Sequence, residues 1–210
     1  MLFKHRLREV RDLCHYRVTG AGISPAVLSG LIVDAGDWHV DAFVVLREEP
    51  ARELFVVPTS CFASLDDEAR TLSLNVPDEI LHTPDARKVP DLHGSSRFDA
   101  VKLPGETMFG CDEAAGTIID LLVNVELWQL RYFIVQADSA VVLTDIEWAS
   151  SLTRGSDQVI VDLPAVAIAT APPYESISNL CSGAEEALYR HYTRNEFVSL
   201  DAAARGVGER

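Results

Sequence analysis

The chain of 210 residues has few cationic side chains and an excess of acidic ones. It contains 18 Lys and Arg against 32 Asp and Glu, which gives a formal net charge of −14 at pH 7. A field of this sign repels phosphate backbones, so the composition disfavours direct binding to nucleic acid. The densest basic stretch, Lys4–Arg11, is interrupted by Glu9. We interpret that stretch as a solvated N-terminal segment.

Long apolar runs are also missing from the sequence. The longest candidates are interrupted by Asp41, Asp120 and Asn124, and none approaches the roughly 20 residues that a membrane-spanning helix requires. The first residues, MLFKHRLREV, lack the apolar core of a signal peptide. We therefore expect a soluble, cytoplasmic protein without a membrane span.

The sequence has no motif that is typical of a metal site or a catalytic site. Cys14, Cys61, Cys111 and Cys181 form no CxxC pair. We interpret them as small apolar residues in a reducing compartment, with a disulfide pair or a metal site as the alternatives. The six histidines form neither HxH nor HExxH, and Ser60, Cys61 and Cys181 lack a neighbouring histidine pair. We therefore predict no catalytic residue, no metal and no cofactor.

What the sequence does contain is one pattern used twice. The stretch Gly116–Val135 predicts two apolar strands joined by a short polar turn, and Gly30–Val45 predicts a second pair of the same kind. Trp38 and Trp128 follow the two turns and are 90 residues apart. A period this long favours two domain copies over a solenoid, whose repeats usually span about 20–50 residues.

Shorter segments complete each copy. Two further strands are predicted at 53–58 and 71–76 in the first copy, and at 140–143 and 158–163 in the second. Each copy then closes with one helical turn, DEILH or AVAIA, that stops before Pro84 or Pro172. In the tail, a capping-box spacing and apolar residues at four-residue intervals predict a helix of about three turns that ends near Arg194. We therefore predict a first domain over 1–88, a linker over 89–105, a second domain over 106–178, and a C-terminal helix and tail over 179–210.

Several stretches of the second copy resemble a known family. They are Asp112-Glu-Ala-Ala-Gly116-x-Ile-x-Asp120, Trp128-x-x-Arg131-Tyr132-Phe-Ile-Val135 and VIVDLPAVAIATAPPY. They are similar to the PRC-barrel domain, which the photosynthetic reaction centre H subunit shares with the C-terminal half of the ribosome-maturation factor RimM. GAEEALYRHY also resembles the tail of bacterial tandem PRC-barrel proteins, so the resemblance extends over residues 1–197. The first copy departs from the pattern, with Ile23-Ser24-Pro25-Ala26 in place of the glycine turn and Asp41-Ala42 in place of the Arg-Tyr pair.

The resemblance implies a mainly β fold of two small PRC-type β-barrels packed together. Each barrel would have five or six strands and a short helical turn after its last strand, and a C-terminal helix would follow the second. The implied roles are assembly and interaction, without an enzymatic activity. We expect five residues to be structural core: Trp38, Trp128, Phe43, Phe133 and Gly116. For the two tryptophans a ligand platform is the alternative.

Four residues are candidates for binding a partner: Arg131, Trp148, Tyr174 and Tyr192. Arg131 lies mid-strand, and we expect its guanidinium to pair with Asp120 or Asp145, with partner binding as the alternative. For Asp120 we expect backbone hydrogen bonds. The aromatic residues, together with Tyr189, are exposed at an interface or attach the C-terminal helix to the second barrel.

Three hypotheses on function follow from these observations. The first is a non-enzymatic protein–protein interaction or assembly module, with an unidentified protein partner or a second copy of the chain. The second is a ribosome- or RNA-linked assembly factor, which the acidic composition argues against. The third is a metal-binding protein or enzyme with a site where the two barrels meet.

Overall fold

A computed structural model of the chain describes residues 6–20, 25–48, 52–77, 96–153, 158–180 and 183–193. In chain order the strands are β1 (Leu7–Glu9), β2 (Arg17–Thr19), β3 (Ala26–Asp34), β4 (Val40–Arg47), β5 (Glu53–Pro58), β6 (Phe62–Asp66), β7 (Thr71–Leu74), β8 (Arg97–Asp99), β9 (Thr107–Phe109), β10 (Ala114–Asn124), β11 (Gln129–Gln136), β12 (Val141–Asp145), β13 (Ala149–Thr153) and β14 (Gln158–Val161). The helices are α1 (Val10–Leu13), α2 (Ala165–Ala169) and α3 (183–193). The described residues also form 3-10 turns at Thr59–Cys61, Ala100–Lys102, Ile146–Trp148 and Ile177–Asn179.

The protein is mainly β, as predicted, with two sheets of seven strands and few helices. Apolar periodicity explains the strands. In β7, Leu72 and Leu74 are buried and alternate with half-buried Thr71 and Ser73, as one buried sheet face requires. The central strands β3, β4, β10 and β11 have longer buried runs. In the described part of the chain, no helix is long and apolar enough to cross a membrane.

The two sheets have the same connectivity. The first has the order β5-β4-β3-β2-β7-β6 and the second β12-β11-β10-β9-β14-β13. Each strand of the first order therefore corresponds to the strand whose number is seven higher in the second. Each sheet contains one parallel pair at the corresponding place. It is β2 with β7 in the first sheet and β9 with β14 in the second. The remaining pairings along each sheet order that the structure describes residue by residue are antiparallel.

The first strand of each half joins the sheet of the other half. β1 precedes β2 in the chain but pairs with β10, and β8 precedes β9 but pairs with β3. The β8–β3 register places Asp99 opposite Ile32 and Arg97 opposite Asp34. We call β1 and β8 the exchanged strands.

The chain consists of two compact units that are not consecutive in sequence. The N unit contains Arg8–Leu103 and Asp120–Leu130, and the C unit contains Met1–Leu7, Pro104–Ile119 and Arg131–Arg210. These units differ from the predicted domains 1–88 and 106–178. The predicted linker 89–105 contains β8, which has its hydrogen-bonding partner β3 in the N unit. The hairpin tip 120–130 also belongs to the N unit, where Trp128 packs against Phe43 and Phe62.

Both predicted hairpin turns are present and have similar local structure. The Asp34 carboxylate accepts a hydrogen bond from the Gly36 N–H at 2.8 Å, and the Asn124 side-chain oxygen accepts one from the Glu126 N–H at 3.0 Å. Trp38 and Trp128 close the turns with positive φ angles of 61° and 49°. This left-handed conformation costs a residue other than glycine roughly 1–2 kcal/mol.

Within the N unit, the two hairpin tips pair with each other and offset this cost. The Val40 N–H donates to the Trp128 carbonyl at 2.7 Å, and the Leu130 N–H donates to the Trp38 carbonyl at 3.0 Å. An isolated antiparallel bridge joins His39 to Gln129 between these bonds. Both tryptophan carbonyls thus accept hydrogen bonds from N–H groups of the opposite tip.

The two tryptophans, both expected in the structural core, are buried to different extents. Trp128 is buried against Phe43 and Phe62 of the first half, with ring centroids 4.6 and 5.2 Å away. Its indole Nε1 is buried and has no hydrogen-bond partner among the described residues. Trp38 is only half-buried and packs edge-on against Phe98 at 5.8 Å. The crossing of the 120–130 tip into the N unit explains this difference.

The other three predicted core residues are Phe43, Phe133 and Gly116, and all lie in closely packed positions. Phe43 and Phe133 are fully buried in the N and C units, respectively. Gly116 is half-buried at an irregularity in β10 and not in a turn, with a φ of 153°. A Cβ atom there would lie 2.5 Å from the Gln136 carbonyl oxygen. Gly116 therefore allows β10 and β11 to approach each other.

The helical segments agree with their sequence patterns where the structure describes them. AVAIA forms α2 over Ala165–Ala169, and the predicted tail helix forms α3 over 183–193, with Leu188 and Tyr192 buried. Pro164 occupies the position before α2. The DEILH turn and the Ser182 capping position lie outside the described residues.

Candidate functional site

A candidate functional surface on the C unit forms around Arg131 on β11. The β11–β12 register places Tyr132 opposite Asp145. The Arg131 Nη2 atom lies 3.7 Å from Asp145 Oδ2, and Nη1 lies 3.5 Å from Glu147 Oε1. The prediction of an ion pair with Asp145 is therefore confirmed. Because the pair is partly open to water, its contribution to stability is small.

Asp145 also organises the backbone beside Arg131. Its Oδ1 atom accepts a hydrogen bond from the Glu147 N–H at 3.0 Å, which begins the 3-10 turn Ile146–Trp148. Burial raises the pKa of the Asp145 carboxyl, while the Glu147 N–H bond and the Arg131 charge act in the opposite direction. The carboxylate thus fixes both the turn and the guanidinium.

Tyr132 connects this strand surface to the C-terminal helix α3. Its hydroxyl donates to Glu185 Oε1 at 3.3 Å. The Arg131 guanidinium carbon lies 5.8 Å from the centre of the Tyr132 ring, at the outer range of a cation–π contact. Burial, and then the nearby Glu185 and Asp145 charges, raise the pKa of the Tyr132 phenol, so it remains a hydrogen-bond donor. We call Arg131, Tyr132, Asp145, Glu147 and Glu185 the Arg131 surface.

Tyr189 extends the Arg131 surface along α3. It follows Glu185 by four residues, so the two side chains lie on the same side of the helix. The Tyr189 side chain is 71% exposed, the highest exposure among the large hydrophobic residues that the structure describes. The surface therefore combines an exposed aromatic ring, one guanidinium and three carboxyl groups.

Tyr192, a predicted partner-binding residue, lies in the interior of the C unit. It is 1% exposed, and its hydroxyl donates to the Leu143 carbonyl at 2.6 Å. Burial raises the pKa of Tyr192 to about 12. On the same helix, His191 Nε2 lies 2.7 Å from the Ala167 carbonyl oxygen of α2. Tyr192 thus holds α3 against β12, which was the alternative interpretation, and presents no surface to a partner.

Tyr174 and Trp148 are half-buried in the C unit. The Tyr174 N–H donates to the Val141 carbonyl at 2.7 Å, and a bridge joins Pro173 to Val142, so this segment extends the sheet beyond β12. A groove of about 50 Å³ lies beside it. It is lined mainly by apolar residues, among them Leu143, Pro172, Tyr174, Leu180 and Leu188. A groove of this size holds a few water molecules.

Asp120, the other acid considered for Arg131, lies in the N unit. Its Oδ1 atom accepts hydrogen bonds from the Leu121 N–H at 2.8 Å and the Arg11 N–H at 3.3 Å. The expectation that it accepts backbone hydrogen bonds is therefore confirmed. Burial raises the pKa of Asp120 to about 6.

Chemically reactive arrangements do not emerge among the described residues. No group of three or more His, Cys, Asp and Glu side chains in this part of the chain could hold a metal ion. Burial, together with the charges of Asp99 and Asp120, raises the pKa of the Cys14 thiol to about 12. This thiol stays protonated at neutral pH and is a poor nucleophile.

Sequence reasoning did not single out Glu147 of the Arg131 surface, and it also missed Tyr132 and Glu185 as functional candidates. Their partnership depends on α3 packing against β11, which residue spacing does not show. The four-residue interval between Glu185 and Tyr189 was the available signal, since it places both on one side of a helix. No protein-family model matches the chain, and no curated protein matches it. Functional assignment therefore depends on the geometry and chemistry of this surface.

Proposed function

We propose that this chain is a non-enzymatic protein–protein interaction or assembly module in the cytoplasm, built from two PRC-barrel-like repeats. The shared connectivity of the two sheets supports the repeat, since every strand in the order of the first sheet has a counterpart at the same place in the second. The 90-residue interval between the two positive-φ tryptophans supports it too. The barrel assignment itself rests on the sequence resemblance.

The observation that carries the interaction role is the exposed Tyr189 ring beside the Arg131 surface. Tyrosine and arginine are enriched where protein partners bind, because a ring or a guanidinium offers a large contact area together with hydrogen bonds. The Tyr132–Glu185 bond and the Arg131–Asp145 pair hold the surrounding side chains in place. A surface that is already ordered loses less conformational entropy when it binds.

The charge of the chain favours a partner other than a second copy. Each copy carries a formal net charge of −14, so two copies repel each other over the Debye length. The Arg131 surface has the same sign, with three carboxyl groups against one guanidinium. We therefore favour a heterologous protein partner over a homodimer.

Site-specific photo-crosslinking in the source cell tests this function. A benzophenone amino acid replaces Tyr189 in one full-length chain and Leu127 in a control chain. Leu127 is also exposed, at 58%, but lies on the hairpin tip in the N unit. We expect a discrete crosslinked protein band from position 189 that is absent from position 127. Equal crosslinking patterns at the two positions, or none at 189, would contradict the proposal.

A further inference from the structure

Each exchanged strand is followed by a short helical turn in the N unit. The turn after β1 is α1 (Val10–Leu13), and the turn after β8 is the 3-10 turn Ala100–Lys102. The two turns begin 90 residues apart, and they contact each other. Both are too short to be stable alone, so their stability depends on the contacts they make.

A buried carboxylate connects α1 to β10. Asp120 is 6% exposed, and its Oδ1 atom accepts hydrogen bonds from the N–H groups of Leu121 and Arg11, at 2.8 and 3.3 Å. Leu121 lies in the receiving strand and Arg11 lies in α1. One carboxylate thus bonds to the backbone of both elements.

A second carboxylate makes the corresponding connection for the other turn. Asp99 Oδ1 accepts a hydrogen bond from the Val101 N–H at 3.3 Å. The Leu31 backbone of β3 is close enough to this carboxylate to lower its pKa. Val101 and Leu31 lie 90 residues from Arg11 and Leu121, respectively. The two carboxylates therefore face equivalent backbone positions, Asp120 at Arg11 and Leu121, and Asp99 at Val101 and Leu31.

The two carboxylates come from different strands, and Gly30 makes this possible. Asp99 belongs to the exchanged strand β8, whereas Asp120 belongs to the receiving strand β10. Gly30 occupies the position 90 residues before Asp120. A Cβ atom at Gly30 would lie 2.7 Å from Asp99 Oδ1, so the missing side chain provides the space that the Asp99 carboxylate fills.

The groups that face the two carboxylates carry charges of both signs. Glu9 of β1 and Arg11 of α1 face Asp120 with opposite charges, and Lys102 of the 3-10 turn faces Asp99. Cys14, at the end of α1, is close enough for both carboxylates to raise its pKa, and its thiol is uncharged. Burial raises the pKa of both Asp99 and Asp120 above the usual value for aspartate. Opening of either turn would let water reach the carboxylate and relieve the cost of burying its charge.

We propose that Asp99 and Asp120 form a pH-responsive pair that controls how tightly α1 and the 3-10 turn Ala100–Lys102 pack in the N unit. When protonated, the pair removes buried charge and the two turns stay closed. When ionised, the pair favours their opening. The exchanged strands end directly before these turns, so proton binding regulates the segments through which the two halves of the chain are connected.

Hydrogen exchange of the full-length chain, followed by mass spectrometry at pH 5.0 and pH 7.5, tests this proposal. Rates are divided by the intrinsic exchange rates at each pH. We expect protection in the peptide covering 8–14 to fall at least about tenfold from pH 5.0 to pH 7.5, since one pKa unit corresponds to a factor of ten. Protection in the peptide covering 98–103 should fall in the same direction. Peptides from β4 and β5 should change less, because among the described residues these strands make no hydrogen bond to Asp99 or Asp120.

A variant of Asp120 distinguishes the effects of the two carboxylates. Asp120→Asn keeps an oxygen acceptor and removes the charge, so the pH effect should disappear from 8–14 and remain at 98–103. Glu113→Gln, at an exposed position, is the matched control and should leave both effects in place. Equal protection of the wild-type chain at the two pH values would overturn the proposal even if the variant failed to fold. An undiminished pH effect at 8–14 in folded Asp120→Asn would overturn it too.

Discussion

Replacing Asp120 with asparagine should change how the global stability of the protein depends on pH. The carboxyl group is 6% exposed, and burial raises its pKa from the reference value of 3.8 to about 6. Because the pKa is higher in the folded state, the folded chain binds this proton more tightly than the unfolded chain. The contribution to stability is fully present below pH 3.8 and is lost as the pH rises through about 6.

The magnitude follows from the shift of about two pKa units. Each unit corresponds to about 1.4 kcal/mol, so ionisation of Asp120 should remove about 3 kcal/mol of unfolding free energy between about pH 4 and pH 7. The asparagine side chain of the Asp120→Asn variant does not titrate, so the variant should lack this part of the loss. The difference in stability between Asp120→Asn and the wild-type chain should therefore shift by about 3 kcal/mol in favour of the variant over this range.

Urea unfolding at pH 4.5, 5.5, 6.5 and 7.5, followed by tryptophan fluorescence, measures this difference. The absolute offset also contains the effect of the asparagine amide, so the pH dependence of the difference is the decisive quantity. Glu113→Gln removes one exposed negative charge and should show a much smaller pH-dependent difference. A difference between Asp120→Asn and wild type that stays constant within about 0.5 kcal/mol from pH 4.5 to 7.5 would refute the reasoning.

Three further substitutions test the packing. Gly30→Ala should destabilise the fold by about 1–3 kcal/mol, because its Cβ atom would lie 2.7 Å from Asp99 Oδ1, and thermal unfolding measures this loss. Gly116→Ala should lower the unfolding free energy by at least about 2 kcal/mol in urea, since the residue combines a φ of 153° with a contact of 2.5 Å to the Gln136 carbonyl oxygen. Tyr192→Phe should cost about 1 kcal/mol in the same assay, because a buried hydroxyl no longer donates to a strand carbonyl.

Matched controls accompany these substitutions. Gly183→Ala adds a Cβ atom that meets nothing within 4 Å, so it should be neutral or slightly stabilising at the start of α3. Tyr189→Phe removes an exposed hydroxyl and should leave the stability unchanged. If Gly30→Ala is as stable as Gly183→Ala, or Tyr192→Phe as stable as Tyr189→Phe, the packing argument for that residue is wrong.

Local features of this protein could be predicted well from its sequence. The hairpin turns at 35–37 and 124–126, the alternation in β7 and the helical turn AVAIA all appear as their residue patterns indicate. Such features depend on interactions between residues a few positions apart, and the side-chain period of two or 3.6 shows them directly. The ion pair of Arg131 with Asp145 was also within reach, since Asp145 was one of the two acids expected to pair with Arg131.

Long-range partners could not be predicted in the same way. Tyr192 has the spacing of an amphipathic helix, but only the packing of α3 against β12 shows that its hydroxyl is buried on the Leu143 carbonyl. Asp120 and Asp145 were equal candidates for Arg131 until the register of β11 with β12 separated them. Whether Tyr192 was buried or exposed, and which acid Arg131 paired with, therefore depended on tertiary packing.

The amino-acid sequence by itself determined the mainly β character, the two hairpins 90 residues apart and the helical tail, because each follows from local periodicity and turn chemistry. Only the tertiary structure decided which half each segment joins. β1 and β8 pair with strands of the opposite half, and Trp128 is buried against Phe43 and Phe62. Two similar halves present similar hydrogen-bonding edges and similar apolar surfaces, so pairing within a half and pairing between halves look alike in sequence. The choice between them depends on the packing of the whole chain.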